Sequence, residues 1–142
     1  MQIYGQWYRL FTVALMHDQT SDIPYHLAFN MLALHSLGTQ IESVLGKTRF
    51  FAIFFFSLLT GSLTSAYFLP FNGYSIGVSG AVFGLFGAIL VMGRRYGVGM
   101  RAVLVTVGIN LAIGFTIPGI DWRAHVGGLI GGAVITRVLI HK

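Results

Sequence analysis

Cysteine is absent from this 142-residue chain, which excludes disulfides, thiol nucleophiles and thiolate metal sites together. Charge is nearly as scarce. Asp, Glu, Lys and Arg make up 9% of the residues, against roughly 25% in a soluble domain. The remainder is 55% hydrophobic with a strongly positive mean hydropathy, the composition of an integral membrane protein with no stretch left for a separate soluble domain. The first 16 residues lack the charged start and apolar core of a cleavable signal peptide. No H-E-x-x-H occurs, and His26-x-x-x-Asn30 lacks a second histidine ligand, so a metalloprotease is disfavoured and no metal or cofactor is expected. The net charge of +5 does not point to nucleic acid, because the basic residues sit in short clusters between apolar runs, where membrane topology puts them.

Those apolar runs organise the chain. Residues 1–24, with Trp7, Tyr8, Arg9, His17, Asp18 and Asp22, are too polar to span a bilayer and read as an outer segment lying at the interface. Five segments follow, at about 25–45, 48–69, 79–93, 101–117 and 123–140. A spanning helix takes roughly 20 residues, so the first two are full length and the last three short. With five alternating spans, Lys47, Arg49, Arg94, Arg95, Arg101, Arg137 and Lys142 fall on one side, 7 of the 9 basic residues. The positive-inside rule makes that side cytoplasmic. Residues 1–24, the loop before Ser79 and the start of the last span are then outside.

Ser79 stands between glycines in Gly77-Val78-Ser79-Gly80-Ala81-Val82-Phe83-Gly84. A serine on a sharp strand-to-helix turn needs a strand before it, and residues 70–76 read as a loop. In a membrane helix such a serine is usually small-residue packing. Depth argues for more. Ser79 lies roughly 22 Å up its helix from Arg94, and His125 about 18–25 Å up the last helix, at 1.5 Å per residue. The two share a depth a few ångströms below the outer surface, where loop backbone is tolerated only if protein buries it or water lines it. A water-filled cavity opening outward follows.

Histidine inside a membrane helix is functional by default. His125 opens the last helix in Ala124-His125-Val126-Gly127-Gly128, and Gly128 and Gly132 repeat at four, as do Gly80 and Gly84. Two faces without side chains let the helices approach closely enough for a Ser79–His125 hydrogen bond. His125 is then the general base that takes the serine proton and the general acid toward the leaving amine. No acidic residue within 123–140 orients the imidazole, so the pair is a dyad. His26 and Asn30 share the outer end of the first full segment; such a pair can hold helices together, or can bind an oxyanion with the backbone N–H groups of Val78 and Ser79. His35 shares a stripe with Glu42 on the opposite face and suits packing or an interhelical bond. Asn110 suits interhelical hydrogen bonding, and His17 and His141 have no assigned role.

Taken together these residues resemble the rhomboid family of intramembrane serine proteases. Trp7-Tyr8-Arg9-Leu10-Phe11-Thr12 is similar to the family's tryptophan–arginine motif, and His26-Leu27-Ala28-Phe29-Asn30-Met31 to its H-x-x-x-N-M. Gly38, Glu42 and Gly46 match the end of that helix. Gly77-Val78-Ser79-Gly80 resembles the nucleophile motif, and Ala124-His125 with Gly128 and Gly132 the A-H-x-x-G-x-x-x-G. The resemblance implies an all-α, polytopic helical bundle with Ser79 as nucleophile, His125 as base, and His26 and Asn30 at the oxyanion hole. It also implies cleavage of transmembrane protein substrates near their outer end, in a bilayer such as a bacterial inner membrane. Three departures accompany it. The family core has six helices and five are present, so either Met1 is not the true start or the chain is a truncated form. The 142-residue form is expected to be less stable and less active than one extended by an N-terminal apolar helix. Phe83 stands where many members carry tyrosine, and the stretch 17–26 is longer than usual. The alternatives are a rhomboid-like protein that binds membrane helices without cutting them and, last, a small channel or transporter. Oligomeric state is not legible.

Overall fold

The computed structural model describes residues 5–16, 25–68, 75, 77–97 and 99–141. His17, Asp18, Asp22, the loop 70–74 and Lys142, all used in the topology reading, lie outside them. Most of the described residues are helical, and none is in a strand. A short α1 (Arg9–Thr12) runs into a 3-10 turn (Val13–Leu15), and five long helices follow: α2 (Tyr25–Leu45), α3 (Lys47–Phe68), α4 (Ser79–Tyr96), α5 (Met100–Thr116) and α6 (Trp122–Ile140). α3 and α6 are long and apolar enough to cross a membrane, and the apolar helices of residues 79–93 and 100–116 are shorter. His26, Asn30, His35, Gln40 and Glu42 make α2 the more polar of the long helices.

Helix ends follow local chemistry. Gly46, at φ 84°, is the single residue between α2 and α3, and its N–H donates to the Glu42 carbonyl at 2.8 Å. α4 runs three residues past the expected Gly93 and stops at Gly97, whose φ of 71° is the left-handed conformation glycine adopts without strain. α6 starts on Asp121, whose side chain accepts from the N–H groups of Arg123 and Ala124 at 3.2 and 3.4 Å, an N-cap that satisfies two otherwise unpaired donors.

α4 is the axis of the bundle. Ala81, Leu85, Ala88, Ile89 and Met92 are fully buried, as expected of a helix apolar on every side. It packs against α2, α3 and α6, and α3 packs against α6. The contact between α4 and α6 is backbone on backbone. A Cβ at Gly128 would collide with the Gly80 carbonyl, and one at Gly132 with the Gly84 carbonyl. On the α3 side, Gly127 and Gly131 leave room for Thr64 and Thr60. Two hydroxyls tighten the arrangement: Ser57 is fully buried and donates to the Ile53 carbonyl at 2.6 Å, and Ser62 donates to the Leu10 carbonyl at 2.8 Å, fastening α1 onto α3.

α5 is the outlier. Only Val107 and Gly114 are buried in it, while Leu104, Val105 and Ile109 are more than half exposed. In the described part of the N-terminal segment, Leu10 and Val13 are buried and Trp7, Tyr8 and Phe11 exposed. One side-chain expectation needs correction: Asn110 is exposed and its amide donates to the Thr106 carbonyl of its own helix at 2.8 Å, so it makes no interhelical bond. His35 is exposed and Glu42, seven residues on, is half-buried.

Candidate active site

Ser79 is the first residue of α4 and His125 lies one turn into α6. Their positions follow from the glycine contacts. Because Gly80 meets Gly128 and Gly84 meets Gly132 with no side chain between, the N-terminal ends of the two helices close up. Ser79 Oγ comes to 3.0 Å from His125 Nε2, although 46 residues separate them. That is ordinary hydrogen-bond distance. His125 is held from the side by Phe83, one turn after Ser79, whose ring stacks on the imidazole with centroids 4.1 Å apart and planes at 5°. Ring packing is thus kept at the position where tyrosine was the alternative. Gly114 of α5 closes the other edge: a Cβ there would lie 3.6 Å from His125 Nδ1. Nδ1 is buried without a hydrogen-bond partner among the described residues.

The turn ahead of Ser79 is shaped by Gly77, at φ 94°. A Cβ on Gly77 would come within 2.7 Å of the His26 ring, so glycine is required twice over, by conformation and by space. The Gly77 N–H donates to the Val13 carbonyl at 3.0 Å. The next N–H groups, at Val78 and Ser79, head α4, where a helix leaves its first donors without internal partners. A small cleft of about 30 Å³, lined in part by Met16, His26, Asn30, Gly77 and Val78, opens beside that helix start. It has room for one or two waters.

His26 and Asn30 both reach this cleft, and Asn30 is buried. They engage each other. Asn30 Nδ2 donates to the His26 carbonyl at 2.8 Å and lies 3.2 Å from His26 Nε2. The geometry therefore brings Ser79 to His125, and His26 with Asn30 to the wall beside Val78. The Asn30 amide is turned to its own helix rather than toward Ser79. Among the described residues, no three His, Asp or Glu side chains converge as a metal site.

Two polar residues near the site were not singled out from sequence. Ser65, on α3 and 1% exposed, donates to Asp121 Oδ2. Asp121 is the cap of the helix that carries His125. Its signal was available, since an aspartate just before an apolar helical run marks a helix start. Ser65 had none, being one of several hydroxyls in an apolar helix.

The profile of the rhomboid domain matches residues 4–142. The chain belongs to the rhomboid family. Among its rhomboid relatives, the rhomboid protease GluP of Bacillus subtilis is 40% identical over 136 residues, which cover 90% of this chain and 25% of that protein. RHOMBOID-like protein 7 of Arabidopsis thaliana is 35% identical over 142 residues, 95% of this chain and 44% of that protein. RHOMBOID-like protein 4 of the same plant is 36% identical over 122 residues, 81% and 30% respectively. The chain thus spans a quarter to less than half of the length of these relatives. Membership, with the apolar helices, makes it an integral membrane protein with helical spans.

Proposed function

We propose that this rhomboid domain is an intramembrane serine endopeptidase that cuts transmembrane segments of other membrane proteins. One observation carries the reading: the hydrogen bond of 3.0 Å between Ser79 Oγ and His125 Nε2, made across two helices packed glycine on glycine.

The chemistry follows from the atoms. With the imidazole proton on Nδ1, Nε2 accepts the Ser79 hydroxyl proton as Oγ attacks the scissile carbonyl carbon. The carbonyl oxygen becomes an oxyanion, which the N–H groups of Val78 and Ser79 stabilise at the head of α4. Asn30 and His26 join them once Asn30 exchanges its bond to the His26 carbonyl for one to substrate, a tightening common between free and substrate-bound sites. Protonated His125 then gives its proton to the leaving amine and the C–N bond breaks. Water, deprotonated by the same nitrogen, hydrolyses the acyl-serine and returns the enzyme. Gly80, Gly84, Gly128 and Gly132 act by distance alone: they let the two side chains meet.

In this reading all five long helices span the bilayer. The side bearing Lys47, Arg49, Arg101 and Arg137 is cytoplasmic, and the site opens to the opposite face. Substrates are membrane helices, cut near their outer ends. The test is to reconstitute the protein in liposomes with a reporter carrying one transmembrane helix and to map any cut by mass spectrometry. Cleavage in the outer part of the reporter helix, lost in both Ser79→Ala and His125→Ala, is expected. Stoichiometric reporter binding without cleavage would instead establish a helix-binding protein.

A further inference from the structure

The acidic residue ahead of α6 does two jobs at once. Asp121 Oδ1 accepts from the N–H groups of Arg123 and Ala124, while Oδ2 accepts from the Ser65 hydroxyl of α3. Its own carbonyl accepts from the His125 N–H at 3.4 Å, opening the hydrogen-bond ladder of α6. His125 therefore sits in a turn whose start is wound by one carboxylate oxygen and anchored to a neighbouring helix by the other. Ser65 is buried, and a buried hydroxyl bonded to a carboxylate is a strong, directional tie. Below it, Gly61 of α3 faces the Ala124 carbonyl, and Thr64 fills the space left by Gly127. The tie thus prolongs the α3–α6 packing to the last turn before the site.

Ser79 and Phe83 face His125 from α4, and Gly114 from α5. Ser79 and Phe83 engage the imidazole itself, whereas the Ser65–Asp121 link engages the turn that carries it. We propose that Asp121 and Ser65 are positioning residues for the Ser79–His125 pair: they fix the rotation and height of the first turn of α6, and so hold Nε2 within hydrogen-bond reach of Ser79 Oγ. The inference rests on the serine-protease reading above. It assigns a role to a carboxylate outside the helix segment in which no orienting acid was expected. Asp121 does not touch the imidazole; its effect passes through the backbone.

The experiment measures, in liposomes, the rate of Ser79 labelling by a fluorophosphonate and kcat and KM for the reporter, each per folded molecule as scored by thermal unfolding. Asp121→Ala removes cap and tie, and is expected to lower kcat and the labelling rate about 10- to 100-fold, the scale of a misplacement near 1 Å, with KM unchanged. Asp121→Asn keeps an oxygen for the N-cap and an amide for Ser65, and is expected to recover activity to within about fivefold of the parent. Ser65→Ala breaks only the tie and should fall between them. A residue that served folding alone would lower the folded fraction and the melting temperature but leave kcat per folded molecule at the parental value. Parental labelling rates in both Asp121→Ala and Ser65→Ala would overturn the inference, as would an Asp121→Asn no better than alanine. If Asp121→Ala does not fold, Ser65→Ala decides alone, with a parental rate overturning it. Failure of the parent itself to label would remove the protease reading, and the positioning roles with it.

Discussion

The α4–α6 interface and the outer helix α5 carry the same residue under opposite constraints. At Gly80, Gly84, Gly128 and Gly132 the two backbones touch, and a methyl group at Gly128 or Gly132 would meet a carbonyl that cannot move without moving its helix. At Gly108 of α5 the surroundings are open. Glycine content in a membrane chain therefore says little by itself. What matters is whether the absent side chain is the condition for two helices to meet. Here it is the condition for the candidate site, because Ser79 and His125 head the two helices that meet. α5 touches α6 mainly near Gly114, whose added Cβ would lie 3.3 Å from Trp122 Cβ, and its outer face presents Leu104, Val105 and Ile109 to the surroundings.

Substitutions can break or sharpen this contrast, and the largest effect belongs to the interface. Gly128→Leu is expected to abolish cleavage and to destabilise the bundle by at least the about 1–3 kcal/mol typical of overpacking, because backbone opposes it. Thermal unfolding in detergent and the reporter assay check both parts; parental turnover would show that the glycine contact is dispensable. Next comes the ring against the base. Phe83→Ala removes the stack on His125 and should lower activity about tenfold, on the scale of the roughly 0.5–1.5 kcal/mol of an aromatic pair, whereas Phe83→Tyr keeps the ring and should stay near the parent. An alanine variant as active as the tyrosine one would deny the stack any part in holding the imidazole. Smaller still in its effect on cleavage is Ser62→Ala, which leaves the Leu10 carbonyl without its donor and should cost about 1–3 kcal/mol of stability local to α1. Hydrogen exchange at the amides of Leu10 to Val13 should rise while that of α4 stays constant. Least disturbing is Gly108→Ala. With open space and an ordinary helical position, it should be neutral or stabilise by up to about 1 kcal/mol through helix propensity. A loss of activity there would mean that α5 is as tightly constrained as α6, and the contrast would fail.

Much of this was legible in the sequence because long apolar helices announce themselves by length and by the charges between them. The segment expected at 25–45 and helix α2 share both ends, and the other long helices begin or end within one to three residues of their expected bounds. The pairing of Ser79 with His125 was legible for a different reason. Glycines spaced by four on two helices fix which faces meet, and depth counting sets both residues at one level. Side-chain partners were not legible in the same way. Asn110 was expected to bond across helices and bonds within its own, because an exposed amide finds the carbonyl four residues back without any help from tertiary structure. The mutual engagement of His26 and Asn30 was hidden likewise: a spacing of four puts the two on one face but does not say whether they turn to each other or outward. Ser65 carries no local signal that separates it from the other hydroxyls of α3. Its partner is 56 residues away.

The 3.0 Å contact makes a protease only if it turns Ser79 into a nucleophile. The most direct measurement treats the parent, Ser79→Ala and His125→Ala proteins in liposomes with a fluorophosphonate and reads the modified residue by mass spectrometry. The adduct should form on Ser79 of the parent, be absent from Ser79→Ala, and form far more slowly in His125→Ala although Ser79 is present. Labelling of Ser79 at the same rate with and without the imidazole would contradict the account, because the serine would then owe nothing to His125.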